Sequence, residues 1–227
     1  MDVEIRHTPA ATIASCKLKK GDAFRAEHGA LIGFQGSLRI ETSTYQKKGG
    51  GFVAGLKRVL SGESFFMNRF ESTSETSEVW LSTPLPGDIF VHELKGDKLV
   101  VASGGFLACE EDIHIDFEWQ GMKSILSGEG LFWIKAEGQG KVIVNSFGFI
   151  HAVDVEDEYI VDTGHIVAFE DTLKFTISKA SESWLGAYLS GEGFVCRFAG
   201  KGRVWMQSHS PSAFGEALSD DLRPKKE

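Results

Sequence analysis

One four-residue motif occurs three times in this chain of 227 residues. Leu-Ser-Gly-Glu stands at positions 60–63, 126–129 and 189–192, so the copies are spaced by 66 and 63 residues. Apolar residues recur in register around every copy, six, three and two residues before the glycine and three and four residues after it. A match of this extent in triplicate indicates an internal repeat of about 65 residues.

The motif predicts a corner between a short helix and a strand. Apolar residues spaced by three and four, followed by Leu-Ser-Gly, are typical of about one and a half helical turns that end at a glycine. The glycines Gly62, Gly128 and Gly191 are therefore expected in the left-handed conformation just past each helix. The apolar run after each copy predicts a strand that is buried on both faces.

The glutamate of each copy has two interpretations, which the sequence leaves open. In the simpler one, Glu63, Glu129 and Glu192 are corner carboxylates that bond to backbone amides or pair with a nearby cation. In the other, they form a ring of equivalent carboxylates around an axis. Only the second interpretation makes the corners a functional site.

The remainder of the pattern predicts an all-β fold. Apolar and polar residues alternate at 38–41, 113–119 and 173–177, as in half-buried strands. The 26 glycines suit many tight turns between short strands. We therefore predict one continuous body, residues 1–210, made of three tandem shortened double-stranded β-helix or β-sandwich units with short helical turns at the repeated corners. The predicted units cover about 1–86, 87–153 and 154–210, and the opening strands are expected near 4–10 and 12–18.

Residues 211–227 are predicted to form a short helix and a charged tail. Ser210 can cap this helix and Pro211 can begin it, with Phe214 and Leu218 on one face. From Ser219 onwards the tail is charged, and we expect it to be mobile.

The charge balance and the absence of targeting segments limit the function. The chain has 24 basic and 32 acidic residues and a net charge of −8, which makes nucleic acid an unlikely partner. It begins without a signal or transit pattern and has no apolar run of about 18 residues. We expect a soluble cytoplasmic protein with reduced thiols at Cys16, Cys109 and Cys196, and peripheral membrane contact stays open.

The first unit carries an insertion near residues 47–58, which is the candidate binding segment. Its glycine spacing resembles a phosphate loop, but Leu56 follows Gly55 where a lysine is required, so the nucleotide signature fails. Basic residues beside apolar ones suit an anionic membrane surface or an acidic protein partner. An ordinary surface loop and an anionic-ligand site are the other interpretations. The candidate residues are Lys47, Lys48, Gly50, Gly51, Phe52, Lys57 and Arg58.

The sequence predicts no catalytic, cofactor or metal residues. The seven histidines include no His-x-His pair, and no Ser-His-Asp or Cys-His order stands out. We therefore predict a non-enzymatic, self-assembling scaffold or binding module near a membrane. The alternative is a small-molecule-binding or metal-dependent enzyme that uses the interior of the β-helix.

Residues 49–66, together with 105–108 and 165–170, resemble the family of the "altered inheritance of mitochondria" protein. The similarity covers about residues 1–210, and the glycine-rich run joined to the corner motif is its most specific part. This resemblance implies a triplicated double-stranded β-helix like the subunit of the trp RNA-binding attenuation protein. It also implies a homotrimer whose nine units form a ring. The mitochondrial relative is linked to inner-membrane organisation, and the absence of a presequence favours a bacterial cytoplasmic member.

Overall fold

A computed structural model describes residues 1–44, 66–119, 132–179 and 194–222. These residues form antiparallel sheets, two single-turn 3-10 helices and one α-helix, so the all-β prediction is confirmed. The strands are β1 (Asp2–Arg6), β2 (Ile13–Lys19), β3 (Ala23–Glu27), β4 (Leu31–Gln35), β5 (Leu38–Thr44), β6 (Phe66–Ser72), β7 (Thr76–Ser82), β8 (Ile89–Ala102), β9 (Phe106–Glu110), β10 (His114–Trp119), β11 (Phe132–Asn145), β12 (Ile150–Val155), β13 (Glu158–Asp162), β14 (Ile166–Glu170), β15 (Lys174–Lys179), β16 (Phe194–Ala199) and β17 (Gly202–Gln207), and the helix is α1 (Pro211–Leu222).

One set of strand pairings occurs three times along the chain. In the first set β2 and β4 flank β7, while β3 and β5 flank β6. In the last set β12 and β14 flank β17, while β13 and β15 flank β16. In the middle set the long strands β8 and β11 pair along their whole length, and β9 and β10 add to the two ends of β11. We call these sets repeats 1, 2 and 3.

A register shift at the same place in each repeat aligns the repeats residue by residue. In each repeat one strand, β4, β9 or β14, skips one residue where it pairs with β7, β11 or β17. Each bulge lets one residue stand without an opposite partner. The equivalent residues of these strands are Leu31, Phe106 and Ile166, then Gly33, Ala108 and Ala168, then Phe34, Cys109 and Phe169.

Two strand pairings cross the boundaries between repeats. Strand β3 of repeat 1 pairs with β9 of repeat 2, where Arg25 lies opposite Cys109. Strand β8 of repeat 2 pairs with β14 of repeat 3, where Val100 lies opposite Phe169. Arg25 and Val100 are equivalent residues, so the two boundaries share one register.

Three hydrophobic clusters form the core, and each one draws on more than one repeat. The central cluster contains Ile113 and Ile115 of repeat 2, which are buried as the alternating pattern predicts. It also contains Met67 from repeat 1 and Val167 and Ala168 from repeat 3. Neighbouring repeats therefore bury part of each other's apolar surface.

The first strand and the C-terminal helix differ from the sequence prediction in their ends. Strand β1 ends at Arg6, because His7 adopts a positive φ of 61° and Pro9 cannot donate to a strand ladder. The helix begins at Pro211 as predicted, and the Ala213 amide donates to Ser210 Oγ at 3.4 Å. It continues to Leu222, past the point where the charged tail was expected to begin.

Candidate functional site

The candidate binding residues and the corner-motif residues predicted from the sequence all lie outside the part of the chain that the structure describes. Their roles therefore stay predictions. The described strands show only which connections of the chain contain these residues. The corner motifs fall between β5 and β6, between β10 and β11, and between β15 and β16, which are equivalent connections in the three repeats. The residues concerned are Lys47, Lys48, Gly50, Gly51, Phe52, Lys57, Arg58, Gly62, Glu63, Gly128, Glu129, Gly191 and Glu192.

The buried thiols offer no reactive nucleophile. Cys16, Cys109 and Cys196 are fully buried and free, and burial raises the pKa of each thiol to about 12. A thiol with this pKa is almost entirely protonated at neutral pH, and the thiolate is the nucleophilic form. Within residues 1–44, 66–119, 132–179 and 194–222, no group of three or more His, Cys, Asp or Glu side chains could hold a metal ion.

The described residues line a cleft and a groove that are both polar in part. A cleft of about 170 Å³ lies between the ends of the repeats and is lined by Asn145, Gln207 and Pro211. A wider groove of about 1130 Å³ runs beside the end of β4 and is lined by Gln35, Lys17 and other residues. The interiors of the repeats are filled by the three hydrophobic clusters.

The most distinctive surface consists of two strand edges, one at each end of the repeat array. Strand β4 pairs with β7 on one side, and no described strand pairs with its other side; we call this the β4 edge. Strand β13 pairs with β16 and has an equally open second side, the β13 edge. Their equivalents in the other repeats, β9, β14, β3 and β8, are paired on both sides.

Apolar side chains on these two edges are exposed where equivalent side chains elsewhere are buried. Phe34 on the β4 edge is 51% exposed, whereas Phe169, its equivalent in repeat 3, is 0% exposed. Ile160 on the β13 edge is 47% exposed, whereas its equivalent Val100 is 4% exposed. Ile32 adds a further exposed apolar side chain to the β4 edge. The difference arises because Phe169 and Val100 are covered by a neighbouring repeat, whereas Phe34 and Ile160 are not.

Among the described strands, β5, β10 and β15 also have a single partner each but do not share this property. They pair on one side only in all three repeats, within the described residues. An edge that is open in every copy is a regular feature of the repeat. The β4 and β13 edges are different, because the equivalent strands of the other repeats pair with a neighbouring repeat at this edge.

The carboxylates near the two edges already have partners within the chain. Glu158 at the start of β13 pairs with Arg197, and Asp162 at its end accepts a hydrogen bond from the Gly164 amide at 2.8 Å. Glu78, which lies opposite Gln35, accepts a hydrogen bond from the Ser15 hydroxyl, and this bond lowers the pKa of Glu78. Strand β4 itself carries no charged residue and no proline, the usual protections of an exposed edge.

Sequence reasoning missed both edges. Phe34 and Ile160 have the apolar character of their buried equivalents, so the pattern alone predicts burial for them as well. An alignment of the three repeats would have found the signal, since Phe34 belongs to the first described repeat and Ile160 to the last. The position of a repeat in this order determines which of its strands have no neighbouring repeat packed against them.

The described residues thus define an all-β internal-repeat protein with two open, apolar ends. No helix among them is long and apolar enough to cross a membrane. The chain belongs to the Mitochondrial biogenesis AIM24 family, whose sequence model matches residues 3–209. The resemblance inferred from the glycine-rich run and the corner motif is therefore confirmed.

Two streptococcal proteins are similar to this chain over most of its length. An uncharacterized protein of Streptococcus pyogenes serotype M6 is 27% identical over 207 residues, which are 88% of this chain and 83% of that protein. A crystal structure of a Streptococcus pyogenes protein superposes with a TM-score of 0.80 at 24% identity and covers 97% of this chain and 99% of the other. The second comparison supports the fold alone.

Proposed function

We propose that this protein is a non-enzymatic scaffold or binding module that assembles with copies of itself through the open ends of its repeat array. The exposure of Phe34 and Ile160, whose equivalents Phe169 and Val100 are buried, is the observation that supports this proposal. A chain that functioned alone would leave an uncharged apolar strand edge in water, where such edges promote uncontrolled pairing.

The energetics favour association of this kind. Complete burial of an Ile or Phe side chain is worth about 1.5–3 kcal/mol, and Phe34, Ile32 and Ile160 are each about half exposed. Association of two proteins costs about 4–15 kcal/mol in lost freedom, so one small contact is weak. A closed ring gives every copy two such contacts, which fits the homotrimer of nine repeats that the family resemblance implies.

Light scattering combined with metal analysis on the purified protein tests this proposal. We expect a metal-free trimer at micromolar concentration. A monomer over the whole accessible concentration range would contradict self-assembly. Stoichiometric bound metal would instead favour the alternative, a metal-dependent enzyme.

The proposed partner of the assembled scaffold is an anionic membrane surface. The support comes from the sequence, in which Lys47, Lys48, Lys57 and Arg58 surround Phe52. The connection that carries them, residues 45–65, is longer than the equivalent connections 120–131 and 180–193. Three copies in one ring would present the segment three times, which multiplies weak single contacts.

Liposome flotation tests this part of the proposal. The parent is expected to float with vesicles that contain anionic lipid and to stay behind with purely zwitterionic vesicles. A variant with Lys47, Lys48, Lys57 and Arg58 changed to Glu is expected to lose flotation while it keeps the assembly state of the parent. Flotation that is unchanged in this variant, or absent in the parent, removes the membrane interpretation.

A further inference from the structure

We infer that β13 of one copy pairs with β4 of the next copy in the register that joins neighbouring repeats within the chain. This places Ile160 opposite Phe34 of the next copy. The inference rests on the proposed self-assembly and adds its geometry. It identifies the partner of both open edges as a second copy of this chain, bound head to tail.

The two sheets that cross the repeat boundaries provide the template. The first runs in the order β5, β6, β3, β9, β11, β8, and the second in the order β10, β11, β8, β14, β17, β12. Each consists of three strands from one repeat and three strands from the next. The chain also contains two unjoined halves of the same pattern: β15, β16, β13 at its end and β4, β7, β2 at its beginning. Joining them across two copies completes a third sheet of identical order.

The register follows from the residues opposite each strand. Arg25, Val100 and Ile160 are equivalent, because they lie opposite Arg69, Lys135 and Arg197 in matching pairings. At the two inner boundaries this position faces Cys109 or Phe169, whose equivalent in repeat 1 is Phe34. The same register sets Tyr159 opposite Gln35 and Val161 opposite Gly33 of the next copy.

The side chains at these positions fit such a pairing. An aromatic residue opposite a β-branched one is a favourable cross-strand pair, and Phe34 and Ile160 form one in this register. Gly33 replaces Ala108 and Ala168, the small buried residues of the inner boundaries. A Cβ added at Gly33 meets no atom within 4 Å in the isolated chain, so this position has room for an incoming strand.

The proposed contact between copies has different charges from the boundaries between repeats within one chain. Arg69 pairs with Glu111 and Lys135 pairs with Asp171 across the inner boundaries. Their equivalent, Arg197, already pairs with Glu158 in its own chain, and the residue after β4 is Gly36. The contact between copies is therefore apolar and backbone-based, without the ion pair that the inner boundaries have.

Cysteine cross-linking tests the register. In the double variant with Phe34→Cys and Ile160→Cys, oxidation is expected to link successive copies into a ladder that ends at the size of the assembly and disappears on reduction. Opposed residues on paired strands have the Cα separation that a disulfide needs. The native cysteines are buried and do not compete.

The single variants distinguish a head-to-tail contact from a symmetric one. Phe34→Cys alone and Ile160→Cys alone are expected to stay uncross-linked, and mixing the two proteins is expected to produce one covalent dimer. A matched control, Leu31→Cys with Ile160→Cys, places the exposed cysteine three positions along β4 and should cross-link at least about tenfold more slowly, because the sulfurs are out of reach. Efficient cross-linking of Phe34→Cys with itself, or faster cross-linking in the control, overturns the register.

Charge substitutions provide a second, independent readout. Phe34→Lys or Ile160→Lys is expected to weaken assembly by about tenfold or more without unfolding the chain, since both side chains are half exposed in one copy. Ile40→Lys is the control, because Ile40 is equally exposed but lies on β5, outside the proposed contact.

The outcomes separate the two proposals. A monomeric parent overturns the proposed function and this inference together. An assembled parent that shows neither the Phe34–Ile160 cross-link nor sensitivity to the two lysine substitutions overturns the inference alone.

Discussion

Arg69 Nε and Glu111 Oε1 lie 3.1 Å apart and join the first repeat to the second. Lys135 and Asp171 make the equivalent contact between the second and third repeats, with Nζ and Oδ1 3.3 Å apart. Each inner boundary thus combines a backbone ladder, apolar packing and an ion pair of this kind at its margin. The margins are solvated, so we expect the apolar packing to dominate the stability of the boundaries.

Arg69→Ala should lower the free energy of unfolding by only about 0.5–1 kcal/mol, because a partly exposed ion pair is screened by water. Urea unfolding followed by tryptophan fluorescence measures this change. Arg39→Ala is the control, since Arg39 is more exposed and contacts Glu71 at a longer distance, 3.7 Å. A loss of 3 kcal/mol or more at Arg69 would show that the ion pair, not the packing, holds the boundary.

Phe169 and Phe34 occupy equivalent positions and should respond very differently to truncation. Phe169 is enclosed by Trp133, Phe175 and Phe198, with ring centroids 5.3, 4.9 and 5.0 Å away. Phe169→Ala is expected to cost about 3–5 kcal/mol of unfolding free energy.

Phe34→Ala is expected to change the unfolding free energy of the monomer by about 0.5 kcal/mol or less, since the side chain is half exposed. Urea unfolding of both variants at a concentration where light scattering shows monomers gives the comparison. Equal losses would mean that the β4 edge is covered within one chain.

Glu27 should make the stability of the protein depend on pH. Burial raises the pKa of the Glu27 carboxyl from its ordinary 4.5 to about 7, so folding takes up a proton between these values. The native state then binds more protons than the unfolded state, and its stability falls as pH rises from 4.5 to 7. The loss is at most about 3 kcal/mol, at 1.36 kcal/mol per pKa unit.

Glu27→Gln removes this titration. We expect the variant to lose less stability than the parent between pH 5 and 8, in urea unfolding curves recorded at both values. If stability fell by the same amount in parent and variant between these two pH values, the partly buried Glu27 carboxyl would be ruled out as the cause.

The native thiols should be inert in the folded protein. Cys16, Cys109 and Cys196 are buried, and the pKa of each thiol is about 12. With a chromogenic disulfide reagent at pH 8, we expect no rapid reaction in the native state and three reactive thiols after unfolding. A fast-reacting native thiol would contradict the burial and would also compromise the cross-linking experiment.

The proposed assembly should resist salt. The proposed contact between β13 and β4 has apolar side chains and backbone hydrogen bonds but no intermolecular ion pair. Screening of charges by salt should therefore have little effect on it. Raising NaCl from about 0.1 M to 1 M is expected to change the dissociation constant by about twofold or less. Light scattering or sedimentation over this range measures it, and dissociation into monomers at high salt would point to an ionic contact instead.

Much of the architecture was readable from local pattern. The alternation at 113–119 predicted β10, and Ser210 with Pro211 predicted the start of α1. The strand pairings make Gly29, Gly104 and Gly164 equivalent, although Gly105 stands directly beside Gly104 in the sequence. Adjacent glycines look alike in a sequence, and only the partner strand distinguishes them.

The sequence by itself determined the triplication, the β character, the terminal helix and the family, because these depend on residue spacing and local preference. Only the tertiary structure decided which strands meet across repeats and which edges are left open. Phe34 and Ile160 have the same apolar character as Phe169 and Val100, and what separates them is coverage by a neighbouring repeat. That coverage depends on contacts between residues far apart in the chain, since a linear array of repeats has a covered middle and two uncovered ends.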